Sequence, residues 1–168
     1  MKISEKKLPQ RKHPRIDTFD YSSDGAYFIT ICTQNRRNAL SCVGRGLAPA
    51  EICEVEYTTY GEIAERQLLS LEERYPFLHV DQYVIMPNHI HVIFILKYEA
   101  AGASPRPTIM DIVCTYKSIT TIECKKRGLE DKLFQTSFYE HIIKDRRDYK
   151  EHVKYILGNP MHWQFDEL

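Results

Sequence analysis

The stretch Tyr83-Val-Ile-Met-Pro-Asn-His-Ile-His91, continued by Val-Ile-Phe-Ile-Leu96, carries the strongest pattern in the chain. Apolar and β-branched residues dominate on both sides of Met86-Pro-Asn88, and proline and asparagine are typical of tight turns. The pattern predicts two strands, at about residues 79–86 and 89–96, joined by a short turn. Because residues two apart on a strand point to the same face, we expect His89 and His91 to project side by side.

Two neighbouring imidazoles on an apolar strand have two explanations. Each ring can simply hydrogen-bond to a nearby group, because a buried polar atom without a partner costs free energy. Alternatively, the pair forms half of a metal site, since imidazole is a common ligand of divalent metals. The spacing of His89 and His91 alone leaves both explanations open.

The segments before this hairpin predict a strand, a loop and a helix. Residues 26–33 are rich in β-branched and aromatic side chains, which is typical of a strand. Residues 34–50 contain glycines, arginines and a proline and predict a loop. Thr59 and Glu62 have the spacing of a capping box, so a helix is expected to begin there and to end at Pro76.

The segments after the hairpin complete an α+β pattern. Thr108 and Asp111 predict the start of a second helix that Gly128 ends, and residues 138–143 predict a strand. A last helix is predicted at residues 146–158. The order strand, helix, strand, strand, helix, strand, helix predicts a ferredoxin-like, split βαβ antiparallel sheet with helices on one face. The opposite face is expected to be free for a ligand, next to a C-terminal helix that carries Tyr155.

The last helix has two stripes. At about 100° per residue, one apolar stripe is expected to face the core; its members are Tyr149, Val153, Ile156 and Leu157. A second, polar stripe contains Asp148, His152, Tyr155 and Asn159. Tyr155 can be an ordinary surface tyrosine, or a nucleophile beside a metal ligand one turn later. A phenol has a pKa near 10, so attack on phosphorus requires a cation that offsets the developing charge.

Charge is unevenly distributed, although the formal net charge of the 168 residues is zero. The first 15 residues carry six cations against Glu5, whereas residues 51–73 carry seven glutamates against Arg66. A basic surface can therefore meet phosphate while an acidic surface balances the total. We expect a basic N-terminal arm, residues 1–20, followed by one domain, residues 21–168.

Composition also predicts the cellular setting. No apolar run is long enough to cross a bilayer, so no membrane partner is expected. The five cysteines are odd in number and contain no C-x-x-C pair. This usage is typical of a reducing cytoplasm, without disulfides or a cysteine zinc site.

Three separated motifs resemble those of the single-tyrosine HUH transposases. The stretch from Tyr83 to His91 is similar to the HUH strand of that family. Two further motifs resemble the REP-associated tyrosine transposase branch. One is the N-terminal stretch from Arg11-Lys-His-Pro-Arg15 through the segment Gly25 to Arg37, and the other is the C-terminal stretch from Phe138-Tyr-Glu-His-Ile-Ile-Lys144 through Tyr155-Ile-Leu-Gly-Asn-Pro160. The motifs occur in the family's order and cover nearly the whole chain.

The resemblance implies a metal-dependent DNA nuclease and strand transferase. His89 and His91 match the two metal-binding histidines of the family, with Mg or Mn as the expected divalent ion. Tyr155 matches the nucleophile that forms a covalent phosphotyrosine link to the 5′ end of a cut strand. Asn159 matches the polar residue that completes the metal site, where relatives often have glutamine.

The expected partner is single-stranded or hairpin DNA, cut and rejoined by a monomer or a homodimer as a step of transposition. The candidates for phosphate contacts are cationic side chains near the N-terminus and after the first strand: Arg11, Lys12, Arg15, Arg36 and Arg37. Each of them can equally be a solvated charge. The alternative function is a non-catalytic or domesticated protein that binds hairpin or single-stranded nucleic acid.

Overall fold

The computed structural model describes residues 20, 23–44, 54–98 and 106–163. Most of the predicted basic arm, residues 1–20, therefore lies outside the described residues. None of the described helices is long and apolar enough to cross a membrane. The elements in chain order are β1 (Gly25–Cys32), a 3-10 turn (Gln34–Arg36), β2 (Ser41–Val43), β3 (Val55–Tyr57), α1 (Thr59–Leu69), α2 (Leu71–Arg74), β4 (Leu78–Ile85), β5 (His89–Leu96), α3 (Ile109–Lys125), β6 (Tyr139–Ile143) and α4 (Arg146–His162).

Four strands form the main sheet, in the order β4-β5-β1-β6. Each neighbouring pair is antiparallel, so β1 and β4 run parallel on either side of β5, and β5 and β6 run parallel on either side of β1. Helices connect the members of each parallel pair, which gives two interlocked split βαβ units. The predicted α+β fold with its antiparallel sheet is confirmed.

One face of the sheet packs against α1 and α3. Alternate residues of β1 point to this face, and Tyr27, Ile29 and Ile31 are completely buried. Ile90 and Val92 of β5 are buried beside them. Burial of this apolar surface is the main term that favours folding.

Caps define where the two core-packed helices begin. At α3 the predicted capping box is present: the Thr108 hydroxyl accepts from the Asp111 N–H, and the Asp111 carboxylate accepts from the Thr108 N–H. Gly128 follows α3 with φ of +95°, a conformation that favours glycine. The cap predicted for α1 was wrong by one residue, because Thr58 and not Thr59 is the N-cap.

The segment predicted as a loop contains a short strand, β2, which pairs with β3. Leu40 precedes this hairpin and packs closely against α1: a Cβ at Gly61 would lie 2.0 Å from the Leu40 carbonyl oxygen, so this helix position requires glycine. The N–H groups of Ala39 and Leu40 both donate to the Pro87 carbonyl. These two hydrogen bonds hold residues 39–40 against the turn that precedes His89.

Helix α4 packs on the second face of the sheet, which the sequence had predicted to be free. Ile156 is buried there against Phe28 and Ile93, and Tyr149 and Val153 pack at the edge of the same cluster. The connection from β6 is only two residues long, and Asp145 caps the helix by accepting from the Arg147 and Asp148 N–H groups. Because this connection is so short, α4 begins beside β6 and packs over the second face of the sheet.

Two details of the predicted last helix were wrong. Leu157, assigned to the apolar stripe, is 66% exposed, because the contact with the sheet is narrower than a full helix face. The helix also continues through Pro160 to His162. Proline lacks the N–H that this position would donate to the Ile156 carbonyl, and the helix ends soon after it, where the Trp163 N–H closes a tighter bond to the Pro160 carbonyl.

Candidate active site

His89 and His91 lie side by side on the second face of the sheet, as predicted from their spacing. In the register of β1 and β5, His91 is opposite Thr30 and His89 is opposite Cys32. Both imidazoles are buried, and their ring centroids are 4.5 Å apart. Two polar rings are therefore fixed on a central strand, on the face that also carries the apolar cluster of Phe28, Ile93 and Ile156.

Hydrogen bonds set the orientation of the His89 ring. Its Nδ1 lies 2.7 Å from Asn88 Oδ1, which can only accept, so in a neutral ring the proton is on Nδ1. Nε2 is then a lone pair, and it lies 3.3 Å from a second acceptor, Asn159 Oδ1. A nitrogen and an oxygen lone pair that face each other form a favourable position for a cation.

The His91 ring is held from the other side. Its Nδ1 lies 2.8 Å from the Thr30 hydroxyl, and its buried Nε2 has no hydrogen-bond partner among the described residues. Burial lowers the pKa of His91 to about 2, with smaller contributions from His89 and His152. The ring is therefore neutral at physiological pH, which is the state in which imidazole binds a metal.

Tyr155 projects from α4 toward this pair. Its side chain is 41% exposed, and its ring centroid is 5.1 Å from that of His91. Phe28 lies beneath both rings, with centroids 5.2 Å from His91 and 6.1 Å from Tyr155. The structure thus brings together all four residues predicted for the centre, since Asn159, one turn after Tyr155, is buried against His89.

The donor set fits a divalent cation. Two imidazole nitrogens and an amide oxygen are acceptable ligands for Mn²⁺ or Mg²⁺, and phosphate oxygens and water can complete the coordination. The second ring nitrogen of each histidine is oriented by Asn88 or Thr30, the arrangement that fixes ring orientation in metal sites. If the two histidines served only as hydrogen-bonded structural groups, the buried Nε2 of His91 should have a partner, and it has none among the described residues. A bound metal would provide that partner.

The predicted phosphate contacts are only partly described. Arg36 and Arg37 are exposed and follow β1, next to Thr33, whose N–H donates to the Asn88 carbonyl. They therefore lie at the same end of the sheet as His89. Arg37 also donates to the Lys132 carbonyl at 3.1 Å. The three N-terminal candidates, Arg11, Lys12 and Arg15, lie outside the described residues.

Two features near the site were missed at the sequence level. One is the basic face of α4, where Arg146, Lys150 and Lys154 are exposed at spacings of four residues. That spacing is readable in the sequence and places them on one side of the helix. The other is Thr30, whose hydroxyl meets His91 only because of the register between β1 and β5, for which the sequence contains no signal.

Comparisons with known proteins agree with the resemblance inferred from the motifs. No family model matches the chain. A Haemophilus influenzae protein, described as uncharacterized, is 28% identical over 176 residues that cover 96% of this chain and 94% of that protein. The REP-associated tyrosine transposase of Escherichia coli is 26% identical over 141 residues, which cover 84% of this chain and 69% of the relative.

A solved structure shares the fold. It is described as a REP-associated tyrosine transposase bound to a REP hairpin, and it superposes with a TM-score of 0.61 at 23% sequence identity. The match covers 93% of this chain and 74% of the other. The resemblance to REP-associated tyrosine transposases is therefore confirmed, both by a relative in sequence and by a neighbour in fold.

Proposed function

We propose that this chain, a homologue of REP-associated tyrosine transposases, cleaves and rejoins single-stranded DNA beside hairpin-forming sequences in a metal-dependent reaction. Tyr155 is the proposed nucleophile, and His89, His91 and Asn159 are the proposed ligands of Mg²⁺ or Mn²⁺. The observation that carries the proposal is the position of an exposed tyrosine above His91, whose buried Nε2 has no hydrogen-bond partner among the described residues. A tyrosine that only stabilises the fold would not require a neighbouring imidazole whose nitrogen is free to bind a metal.

The proposed reaction is a transesterification. The Tyr155 phenol oxygen forms a bond to phosphorus while the bond from phosphorus to the 3′ oxygen breaks. The phenolic proton is lost and the departing oxygen gains one, so the products are a 5′-phosphotyrosine and a free 3′-OH. No nucleotide is hydrolysed, and attack by a 3′-OH reverses the step. When bound, a divalent ion offsets the negative charge that develops on the phosphate.

The protein's own residues position these groups. Thr30 and Asn88 hold the two imidazoles with their Nε2 atoms directed away from the sheet. Ile156, the residue after Tyr155, is buried against Phe28 and Ile93, so it anchors the tyrosine's turn of α4 on the sheet. Such anchoring keeps the nucleophile near the attacked phosphorus, and positioning of this kind is a large part of enzymatic rate enhancement.

The basic face of α4 is the proposed track for the DNA backbone. Arg146, Lys150 and Lys154 are exposed and end one residue before Tyr155. Tyr155 follows Lys154 in sequence but lies about 100° further around the helix, so a strand whose phosphates follow these cations has to cross α4 to reach the tyrosine. Arg36 and Arg37 provide positive charge at the histidine end of the sheet, so both ends of the site can contact phosphate.

The test is formation of a covalent adduct. The protein is incubated with Mn²⁺ or Mg²⁺ and single-stranded oligonucleotides that carry a REP hairpin or other imperfect hairpins with varied flanks. Products are separated under denaturing conditions. We expect a protein–DNA adduct that Tyr155→Phe abolishes, while Tyr139→Phe retains it. Tyr139 is a matched control because its side chain is also 41% exposed.

The alternative function gives a different result. A non-catalytic or domesticated protein would bind the hairpins in a gel-shift assay but form no adduct with any hairpin or metal. An adduct that persists in Tyr155→Phe would mean that a different residue is the nucleophile. An adduct that forms equally well in EDTA would contradict the metal role of His89 and His91.

A further inference from the structure

A second group of potential ligands lies where β6 meets the first turns of α4. His141 is on β6, and Asp148 and His152 are one turn apart on α4. The Nε2 atom of His141 lies 2.9 Å from Asp148 Oδ2 and 3.1 Å from Oδ1. The Nδ1 atom of His152 lies 3.1 Å from the same Oδ1 atom. The two rings are stacked, with centroids 4.6 Å apart.

We infer that His141, Asp148 and His152 form a second metal site, for a zinc-class divalent ion, that joins β6 to the helix of Tyr155. Two imidazoles and one carboxylate are a common protein donor set for zinc, which takes a water as its fourth ligand. Among the described residues, this is the group whose histidine, cysteine and carboxylate ligand atoms converge within 4.8 Å of one another.

The separations between donor atoms suit a tetrahedral ion. Ligand bonds of 2.0–2.1 Å place neighbouring donors about 3.3 Å apart. The 3.1 Å separations from Asp148 Oδ1 to each imidazole nitrogen are close to that value, and the two imidazole nitrogens lie within 4.8 Å of each other. The three side chains are 19–29% exposed, which gives an ion and its water ligand access from solvent.

A purely hydrogen-bonded cluster is the competing explanation. The Asp148 carboxylate also accepts from the Lys144 N–H, and the pKa of Asp148 is lowered by that bond and by His141, against the opposing effect of burial. Nδ1 of His152 also lies 2.9 Å from the Asp148 carbonyl. An ion would replace the proton that His141 directs at the carboxylate and the proton that His152 directs at the Asp148 carbonyl oxygen, so the two explanations differ in whether metal binds at all.

The position of the cluster suggests a role for the ion. His152 precedes Tyr155 by three residues, and its ring packs on Phe28 with centroids 4.5 Å apart. Phe28 in turn contacts His91 and Tyr155. An ion that links β6 to α4 would therefore stiffen the helix that carries Tyr155, from outside the His89–His91 site.

The experiment measures metal binding without DNA. Protein stripped with EDTA is titrated with Zn²⁺ by calorimetry and with Co²⁺ by visible absorption, which detects tetrahedral coordination. The background is His89→Ala/His91→Ala, which removes the first site; His89→Asn/His91→Leu is a second background if the first fails to fold. We expect one equivalent bound in the background, and its loss on adding Asp148→Asn or His152→Gln.

Thermal unfolding provides a second readout. At an ion concentration about 100 times Kd, binding raises the Tm by roughly 5–10 °C for a domain of this size. The matched control is His79→Gln, because His79 forms a histidine–carboxylate pair of 2.8 Å with Glu72 on another part of the surface. The control should leave zinc binding intact.

The outcomes separate this inference from the proposed function. Zinc bound by the background variant, together with an adduct that the wild type forms and the background variant does not, supports both. No binding in the background, or binding that Asp148→Asn and His152→Gln leave unchanged, overturns the second site even if wild-type protein forms adducts. Zinc bound by the cluster in a wild-type protein that forms no adduct overturns only the nuclease proposal.

Discussion

The two faces of the same strand pair differ in what they contribute. Toward α1 and α3, Ile29 and Ile90 are fully buried among other apolar side chains. One residue further along, Thr30 and His91 point to the opposite face and hydrogen-bond to each other. All four residues are buried, and on the second face the Nε2 atom of His91 has no hydrogen-bond partner among the described residues. Burial on the first face stabilises the fold, whereas burial on the second lowers the pKa of His91 and keeps its imidazole neutral.

Substitutions on the two faces should therefore have opposite effects, and this comparison has the largest expected magnitude. We expect His91→Leu to reduce adduct formation by at least about 10²-fold, because it removes a proposed metal ligand. Its free energy of unfolding should change by no more than about 1 kcal/mol, because removal of the unpaired buried Nε2 offsets the loss of the hydrogen bond from Nδ1 to Thr30. Adduct yield and urea unfolding at neutral pH in EDTA measure the two quantities.

Ile90→Ala is the matched substitution on the other face. Its cavity should lower the free energy of unfolding by about 2–4 kcal/mol, while the adduct still forms at temperatures where the protein is folded. If His91→Leu proved as destabilising as Ile90→Ala, the distinction between the two faces would be wrong.

The second comparison concerns the hydrogen bond between Thr30 and His91, which is a proposed metal ligand. Thr30→Val keeps the shape of the side chain but removes the hydroxyl that lies 2.8 Å from His91 Nδ1. Loss of such a bond typically weakens metal affinity by about 10–100-fold. Mn²⁺ titration of adduct formation should show a higher half-saturating concentration, with the maximum partly recovered at high Mn²⁺. Thr121→Val, on the surface of α3, is the control. An unchanged Mn²⁺ dependence would mean that Thr30 does not orient His91.

The third comparison uses pH in metal-free protein. The folded pKa of His91 is lowered from 6.5 to about 2, so below pH 6.5 the unfolded state binds a proton that the folded state does not. Stability from this residue is therefore fully present above pH 6.5 and falls by about 1.4 kcal/mol per pH unit as the pH drops toward 2. Urea unfolding between pH 7 and 4 should show this slope, and His91→Leu should flatten it. Equal slopes for both proteins would contradict a neutral, buried His91.

The smallest effect is expected on the basic face of α4. Lys150→Ala/Lys154→Ala should weaken hairpin binding several-fold at low salt and reduce the slope of log K against log salt by about 1–2, because each lysine contacts about one phosphate. Lys125→Ala/Lys126→Ala, at the end of α3, is the charge-matched control. Fluorescence anisotropy at several salt concentrations measures both. Equal slopes for the two double variants would place the DNA track elsewhere.

Local sequence patterns were sufficient to predict which side chains share a face of a strand or helix in much of this protein. The alternation along β5 was sufficient to place His89 and His91 on one face, because a strand has a period of two residues whatever it pairs with. The spacing on α4 separated Tyr155 and Asn159 from the apolar stripe for the same kind of reason, since the helix period is 3.6. The capping box at Thr108 was also readable, because its hydrogen bonds join residues three apart.

Other features depended on contacts between distant segments, which no local period encodes. Only the register of β1 against β5 places Thr30 behind His91, and only the return of α4 across the second face brings Tyr155 above the histidines. The same packing left Leu157 exposed and brought His141 to Asp148. The sequence alone thus determined which side chains share a face, whereas tertiary structure decided which faces meet, because the free energy of packing depends on surfaces that are far apart in the chain.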